Sequence, residues 1–217
     1  MAIHLHVMDR GRRLDPKARE TLLDPIRTAV QEIMAHAPDL DADLSVVPTD
    51  ILDRRFRCCR GIAYGPGSAL IEVNPDHSQY VEDWPRGGTA LALHELHHCL
   101  RWPYIGREGW TLGEVAVLEG LAILAEEAVG QPITSARDPR TLPALCDRLW
   151  AERHKVESDE TAWFRASEAD GQPTDMPVNY LIGRAMMRKA LAELALDPFD
   201  AARLPVEDLL AASRRLD

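Results

Sequence analysis

The feature that most constrains this chain is a His-Glu-x-x-His pattern, His94 to His98, set in the apolar run 91–100. Residues four apart on an α-helix lie one turn apart on the same face, so the imidazoles of His94 and His98 can reach one metal ion. Glu95 lies about 100° further round the helix, beside that ion without ligating it. Zinc hydrolases use this arrangement: two neutral histidines hold Zn²⁺ and a carboxylate takes a proton from water.

The surroundings of the pattern favour a metal site over the alternative, a helix whose histidines only satisfy one another. The leucines within 91–100 predict a buried helix, and polar groups on a buried helix are costly unless they have a partner or a ligand. We expect Thr89 to cap the start of this helix and Trp102-Pro103 to end it. The pattern therefore predicts Zn²⁺ as the cofactor.

Two glutamates, Glu114 and Glu119, compete for the role of third ligand. Glu114 follows Thr111 at the spacing of a capping box, where its carboxylate is stabilised at the start of a helix without a metal. Glu119 lies more than a turn further along, on an apolar segment where a buried carboxylate needs a partner. The 20 residues between His98 and Glu119 suffice to end one helix and return along another. The residues therefore favour Glu119, and Gly120 beside it predicts a close approach to the His94 helix.

Hydrophobic periodicity predicts an α+β fold. Alternation at Ile3, Leu5 and Val7 predicts a strand, and an apolar stripe at helical spacing predicts a helix that begins at Asp15 and is kinked or restarts at Pro25. Further strands are predicted near 44–47 and over 61–73, and helices over 114–129, 141–154, 158–169 and 175–196.

The segment 61–73 predicts either a strand pair or one long interrupted strand, just before the metal helix. In zinc peptidases an exposed strand beside the site pairs with an extended substrate; the alternative is an ordinary edge or inner strand. We expect a fold in which a small mixed β-sheet packs on the His94 helix and on a Glu-bearing helix. As one domain, 1–217, it would comprise 1–80 as mainly sheet plus one helix, 88–130 as the zinc-site helices and 140–217 as a helical part.

The charge and composition of the chain indicate which classes of partner and which location to expect. A formal net charge of −10, with no dense stretch of Lys or Arg, argues against nucleic acid as a partner. The chain has no run of about 18 consecutive apolar residues, so we expect no membrane span and a cytoplasmic location. The four cysteines lack paired zinc-ribbon spacing. We expect them to be reduced, with Cys99 as a small core residue.

With these residues in view, the chain resembles a family of predicted zinc-dependent proteases, known chiefly by a domain-of-unknown-function label, within the broader gluzincin group of thermolysin-like folds. The likeness spans roughly residues 60 to 190 and is carried by four blocks: 93–101, 110–114, 119–122 and Tyr180-x-x-Gly183. It implies a zincin-like fold and a peptidase-type zinc site in which His94, His98 and Glu119 are the ligands and Glu95 is the base.

One position departs from the pattern of thermolysin-like enzymes. These enzymes carry an acidic residue four positions after the third ligand to orient a zinc histidine, whereas this chain has Ile123 there. We therefore expect support for the zinc histidines to come from elsewhere in the chain.

Tyr180 is the candidate donor of a hydrogen bond to the tetrahedral oxyanion, because the resemblance places it near the site. Its alternative is a buried aromatic of the C-terminal helix, in which Gly183 costs about 1 kcal/mol unless it permits a close approach of another segment.

Three functions fit these observations. The first is a zinc-dependent metallopeptidase that acts on a peptide or protein substrate with a zinc-activated water. The second is a non-catalytic zinc-binding or regulatory protein, and the third is a zinc hydrolase of a non-peptide amide or ester. Glu95 favours catalysis, because a structural zinc site needs no carboxylate there and is usually closed by four protein ligands.

Overall fold

The structure is a computed structural model that describes residues 2–9, 14–50, 58–105, 110–130, 138–169, 172–174 and 176–215. It has a mixed α+β architecture, as predicted. The strands are β1 (Ile3–Val7), β2 (Ala42–Pro48), β3 (Cys59–Gly65), β4 (Ser68–Val73), β5 (Glu168–Ala169) and β6 (Gln172–Pro173). The helices are α1 (Pro16–His36), α2 (Tyr80–Arg101), α3 (Leu112–Ala128), α4 (Leu142–Glu152), α5 (Val178–Leu194), α6 (Pro198–Ala201) and α7 (Val206–Ala212).

The chain groups into two compact units, which are described separately. The first comprises 1–103 and 126–133, and the second comprises 104–125 and 134–217. The boundary falls inside α3, a continuous helix whose last turn belongs to the first unit. The expectation of one domain with three segments stays a prediction.

The first unit is built on a four-stranded mixed sheet of order β1-β2-β4-β3. The strands β1, β2 and β4 run parallel, while β3 pairs with β4 as an antiparallel hairpin. The hairpin turns at the Gly65-Pro66-Gly67 segment and has a register shift between Ala63 and Gly65. The predicted strand pair is therefore present, and among the described strands β3 lies at an edge of the sheet.

Helix α2 packs against both β3 and β4 and against α1. Two side chains fix it to the middle of α1: Trp84 Nε1 donates to the carbonyl of Leu22 at 3.1 Å, and Thr89 Oγ1 donates to the carbonyl of Pro25 at 3.1 Å. The prediction that Thr89 caps this helix was wrong, because α2 begins nine residues earlier, at Tyr80. The burial of Trp84 against α1 stabilises the added turns despite the proline within them.

The second unit is helical, with a core formed by α4, α5, α7 and the first four turns of α3. The predicted helix over 158–169 is instead a 3₁₀ segment, Asp159–Arg165, followed by the short antiparallel pair β5–β6. Ser158 and Thr161 form a capping box in which the Ser158 N–H donates to Thr161 Oγ1 at 2.7 Å. Such side-chain bonds to the backbone compete with a regular helix.

No helix among the described residues is both long enough and apolar enough to span a membrane.

Candidate metal centre

Helix α2 buries the chemistry-bearing side chains of the His-Glu-x-x-His pattern. The exposed fractions are 6% for His94, 5% for Glu95 and 7% for His98. The rings of His94 and His98 meet edge to face, with their centroids 4.4 Å apart and their planes at 79°. The two imidazoles therefore lie on one face of the helix, as their spacing predicts.

Glu119, on α3, completes a group that could hold a metal ion. One ligand atom from each of His94, His98 and Glu119 lies within 4.8 Å of the others, and all three residues are buried. Two imidazole nitrogens and one carboxylate oxygen form a donor set suited to Zn²⁺, and three protein ligands leave a fourth position open for water or substrate. The residues present therefore fit a catalytic zinc ion.

Glu114 has the separate role that its spacing predicts. The N–H and Oγ1 of Thr111 donate to Glu114 Oε2 at 2.8 and 3.0 Å, and the Glu114 N–H donates to Thr111 Oγ1 at 3.2 Å. These reciprocal bonds form the capping box at the start of α3. Glu114 is absent from the group that could hold a metal, so the geometry separates the two glutamates as the sequence argument does.

Glu126 was not among the site residues predicted from the sequence. Its Oε1 lies 2.6 Å from Nδ1 of His94, and its side chain is 2% exposed. Glu126 follows Glu119 by seven residues, two helical turns, so both carboxylates lie on the same face of α3. This spacing, on an otherwise apolar segment, is the signal that could have found it. A carboxylate therefore contacts a histidine of the site even though position 123 carries no acidic residue.

Glu95 lies directly against the backbone of the edge strand β3. A Cβ built on Gly61 would lie 2.5 Å from both Cγ and Oε1 of Glu95 and 2.8 Å from its Cδ. Only a residue without a side chain leaves space for the carboxylate, because ordinary contacts begin near 3.4 Å. The strand predicted to lie beside the site therefore passes next to the predicted base.

Helices α3 and α5 cross at a pair of glycines. A Cβ on Gly183 would lie 2.2 Å from the carbonyl oxygen of Ala116 and 3.0 Å from the N atom of Gly120, and a Cβ on Gly120 would lie 2.3 Å from the carbonyl group of Gly183. The close approach predicted for Gly183 is confirmed. Gly120 contacts α5 there, which the prediction of a close approach to the His94 helix did not anticipate.

Tyr180 precedes Gly183 by three residues, so it lies on the same side of α5 as the glycine crossing. Its side chain is partly buried against the core of the second unit. Burial acts to lower the pKa of Arg165, but its ion pair with Glu157 and the nearby Glu119 and Tyr180 raise that pKa overall. Arg165 is thus a cation in the neighbourhood of both Glu119 and Tyr180, and no sequence motif indicated it.

Cys99 follows His98 but is not part of the candidate metal group. Burial, and secondarily the charge of Glu95, raises the pKa of the Cys99 thiol to about 12. Its behaviour is that of a small core residue.

Comparison with known proteins gave one family. A family model described as predicted Zn-dependent protease (DUF2268) matches residues 27–211. Searches of curated proteins and of solved structures gave no significant match. The matched segment includes all the residues of the candidate metal centre.

Proposed function

This chain belongs to the DUF2268 family of predicted Zn-dependent proteases, and we propose that it is a zinc metallopeptidase that hydrolyses peptide bonds on a zincin-like fold. The observation that carries the proposal is the buried group of two histidines and one glutamate, His94, His98 and Glu119, whose ligand atoms lie within 4.8 Å of one another. Two imidazole nitrogens and one carboxylate oxygen brought this close together form the donor set of a catalytic zinc ion.

His94, His98 and Glu119 would hold the ion. Zn²⁺ bound by three protein ligands lowers the pKa of water at its open position to about 7 and polarises a carbonyl group. Glu95, the residue next to the first ligand, accepts the proton of the attacking water at its carboxylate and passes it to the leaving amine. This role requires a carboxylate beside the ligands that does not itself ligate.

The edge strand β3 supports a peptide as the substrate. An extended peptide can pair with the outer edge of an exposed strand through backbone hydrogen bonds. Because the Glu95 carboxylate lies against Gly61 of β3, a peptide paired along this strand would run beside the general base. Tyr180 is the proposed donor of a hydrogen bond to the oxyanion that forms at the scissile carbonyl.

The catalytic part of the proposal is tested by digesting a peptide library with the zinc-loaded protein and with the variant Glu95→Gln. We expect cleavage by the wild type, and a variant that keeps one zinc ion but loses about 10² or more in rate, because it lacks the general base. Loss of zinc in Glu95→Gln would make Glu95 a ligand. Cleavage of ester or amide model substrates without peptide cleavage would favour the non-peptide hydrolase, and zinc binding without any turnover would favour the regulatory protein.

The ligand set is tested with two glutamates of the same helix. We expect Glu119→Ala to lose tightly held zinc and activity together. The matched control, Glu114→Ala, should keep zinc and activity and lose only the stability that a helix cap contributes, about 0.5–2 kcal/mol. Zinc content is measured by elemental analysis after dialysis. Stoichiometric zinc and full activity in Glu119→Ala, or loss of metal from Glu114→Ala alone, would show the assignment to be wrong.

A further inference from the structure

We propose that Glu126 is a positioning residue of the metal centre, which holds the ring of His94 so that Nε2 is presented to the ion. The inference rests on the proposed zinc site and goes beyond it. It assigns a role to a residue that neither the His-Glu-x-x-His pattern nor the third-ligand argument includes.

The contact between the two side chains is short and buried. Nδ1 of His94 lies 2.6 Å from Oε1 of Glu126, and the side chains are 7% and 2% exposed. A bond of this length to a carboxylate is of the charge-assisted kind, which is stronger than a neutral hydrogen bond. Because the carboxylate can only accept, the Nδ1 atom of His94 carries the proton, and Nε2 is the ring nitrogen that can ligate a metal.

The position of Glu126 on α3 explains why the site needs no acidic residue at position 123. Seven residues make nearly two whole turns, so Glu126 lies within about 20° of Glu119 around the helix and about 10 Å further along it. One helix therefore supplies the proposed third ligand and, two turns later, the carboxylate that orients the first histidine. Ile123, between them, is part of the buried core.

A carboxylate on the distal nitrogen of a ligating histidine has two effects on the metal site. It fixes the tautomer and the direction of the ring, and it makes the other nitrogen a better donor. Removing such a partner typically weakens metal binding by about 10- to 100-fold. The consequence is measurable in zinc affinity, without reference to turnover.

The experiment measures the zinc dissociation constant of the full chain by competition with a chromophoric chelator, for the wild type, Glu126→Gln and Glu127→Gln. Glu127 is the matched control, because the same charge is removed one residue further along the same helix. We expect Glu126→Gln to bind zinc about 10- to 100-fold more weakly than the wild type, and Glu127→Gln to stay within about threefold of it. A more conservative variant, Glu126→Asp, should bind more tightly than Glu126→Gln.

A second measurement separates positioning from a merely structural role. In the metal-free protein, the nitrogen chemical shifts of ¹⁵N-labelled histidine should report a proton on Nδ1 of His94, and Glu126→Gln should reduce the population of that form. A variant that melts at a lower temperature but keeps the wild-type zinc affinity and the wild-type His94 shifts would overturn the proposal.

The outcomes separate this inference from the proposed function. If the wild type binds zinc tightly and Glu126→Gln binds it equally well, Glu126 has no positioning role, and the zinc site stands. If the wild type holds no zinc at all, both the site and the role of Glu126 are refuted.

Discussion

Replacing Gly61 by Ala should separate catalysis from stability at the candidate site. The new Cβ would lie 2.5 Å from Cγ and Oε1 of Glu95, while ordinary contacts begin near 3.4 Å. The Glu95 side chain must therefore move by about 1 Å, and a displacement of that size in a catalytic group can cost about 10²-fold in rate. We expect kcat/KM for a peptide substrate to fall by about that factor in Gly61→Ala.

The stability of Gly61→Ala should change little. The clash is with a side chain rather than with backbone, so an off-rotamer Glu95 costs about 0.5–1.5 kcal/mol. Replacing a glycine also reduces the entropy of the unfolded chain, which returns about 0.4–1 kcal/mol. We expect the free energy of unfolding to stay within about 1 kcal/mol of the wild type. The zinc ligands are untouched, so zinc stoichiometry should be unchanged.

The assay compares kcat/KM, urea unfolding and zinc content for the wild type, Gly61→Ala and Gly65→Ala. Gly65 lies on the same strand, and a Cβ there would meet nothing within 4 Å, so Gly65→Ala should keep full activity. Wild-type kcat/KM in Gly61→Ala would refute the reasoning, because the base would then tolerate the displacement. Equal losses of activity in the two variants would also refute it, because the effect would then belong to the strand rather than to Glu95.

Three further predictions follow from other contacts. Gly183→Ala should lose roughly 3 kcal/mol or more of stability in urea unfolding, because its Cβ would meet backbone of α3 at 2.2 Å. The control is Gly87→Ala, whose Cβ would meet nothing within 4 Å and whose stability should be unchanged or higher. Equal losses of stability in the two variants would contradict this prediction. Burial, with the nearby Cys58, raises the pKa of Tyr80 to about 12. The stability that the neutral phenol contributes is complete below pH 10, the pKa of tyrosine in the unfolded chain, and is lost as the pH rises from 10 to 12. Relative to Tyr80→Phe, the wild type should therefore lose stability between pH 9 and pH 11, by at most about 1.4 kcal/mol, and parallel pH profiles would refute the shift. Tyr180→Phe should lower kcat with little change in KM if its hydroxyl contacts the oxyanion, and unchanged kinetics would remove it from the mechanism.

The metal helix shows which parts of the site can be predicted from sequence. The spacing of His94 and His98 fixes their common face, because the helical period is a local property of the backbone. The capping box of Glu114 is equally local, and it leaves Glu119 as the carboxylate in need of a partner. The histidines and the cap were predicted because their roles depend on short separations along the chain, and Glu119 was predicted by exclusion of Glu114.

Other features depend on contacts between distant segments. The start of α2 at Tyr80 depends on Trp84 packing on α1, more than 60 residues earlier in the chain. Glu126 was missed because its partner, His94, is 32 residues away, and a pattern taken from thermolysin-like enzymes directs attention to position 123. Two whole helical turns place a side chain on the same face as one turn does, so the periodicity alone does not choose between these positions.

The crossing of α3 and α5 limits which substitutions this sequence can accept during evolution. A Cβ on Gly120 would need space that the backbone of Gly183 occupies, and a Cβ on Gly183 would need space that the carbonyl oxygen of Ala116 occupies. A substitution at one position cannot be compensated at the other, since no residue is smaller than glycine. The two positions therefore cannot change together through a pair of compensating mutations. Homologous chains that keep this crossing should carry glycine at both positions. A chain that has lost either glycine should have separated helices, and a displaced counterpart of the neighbouring Glu119.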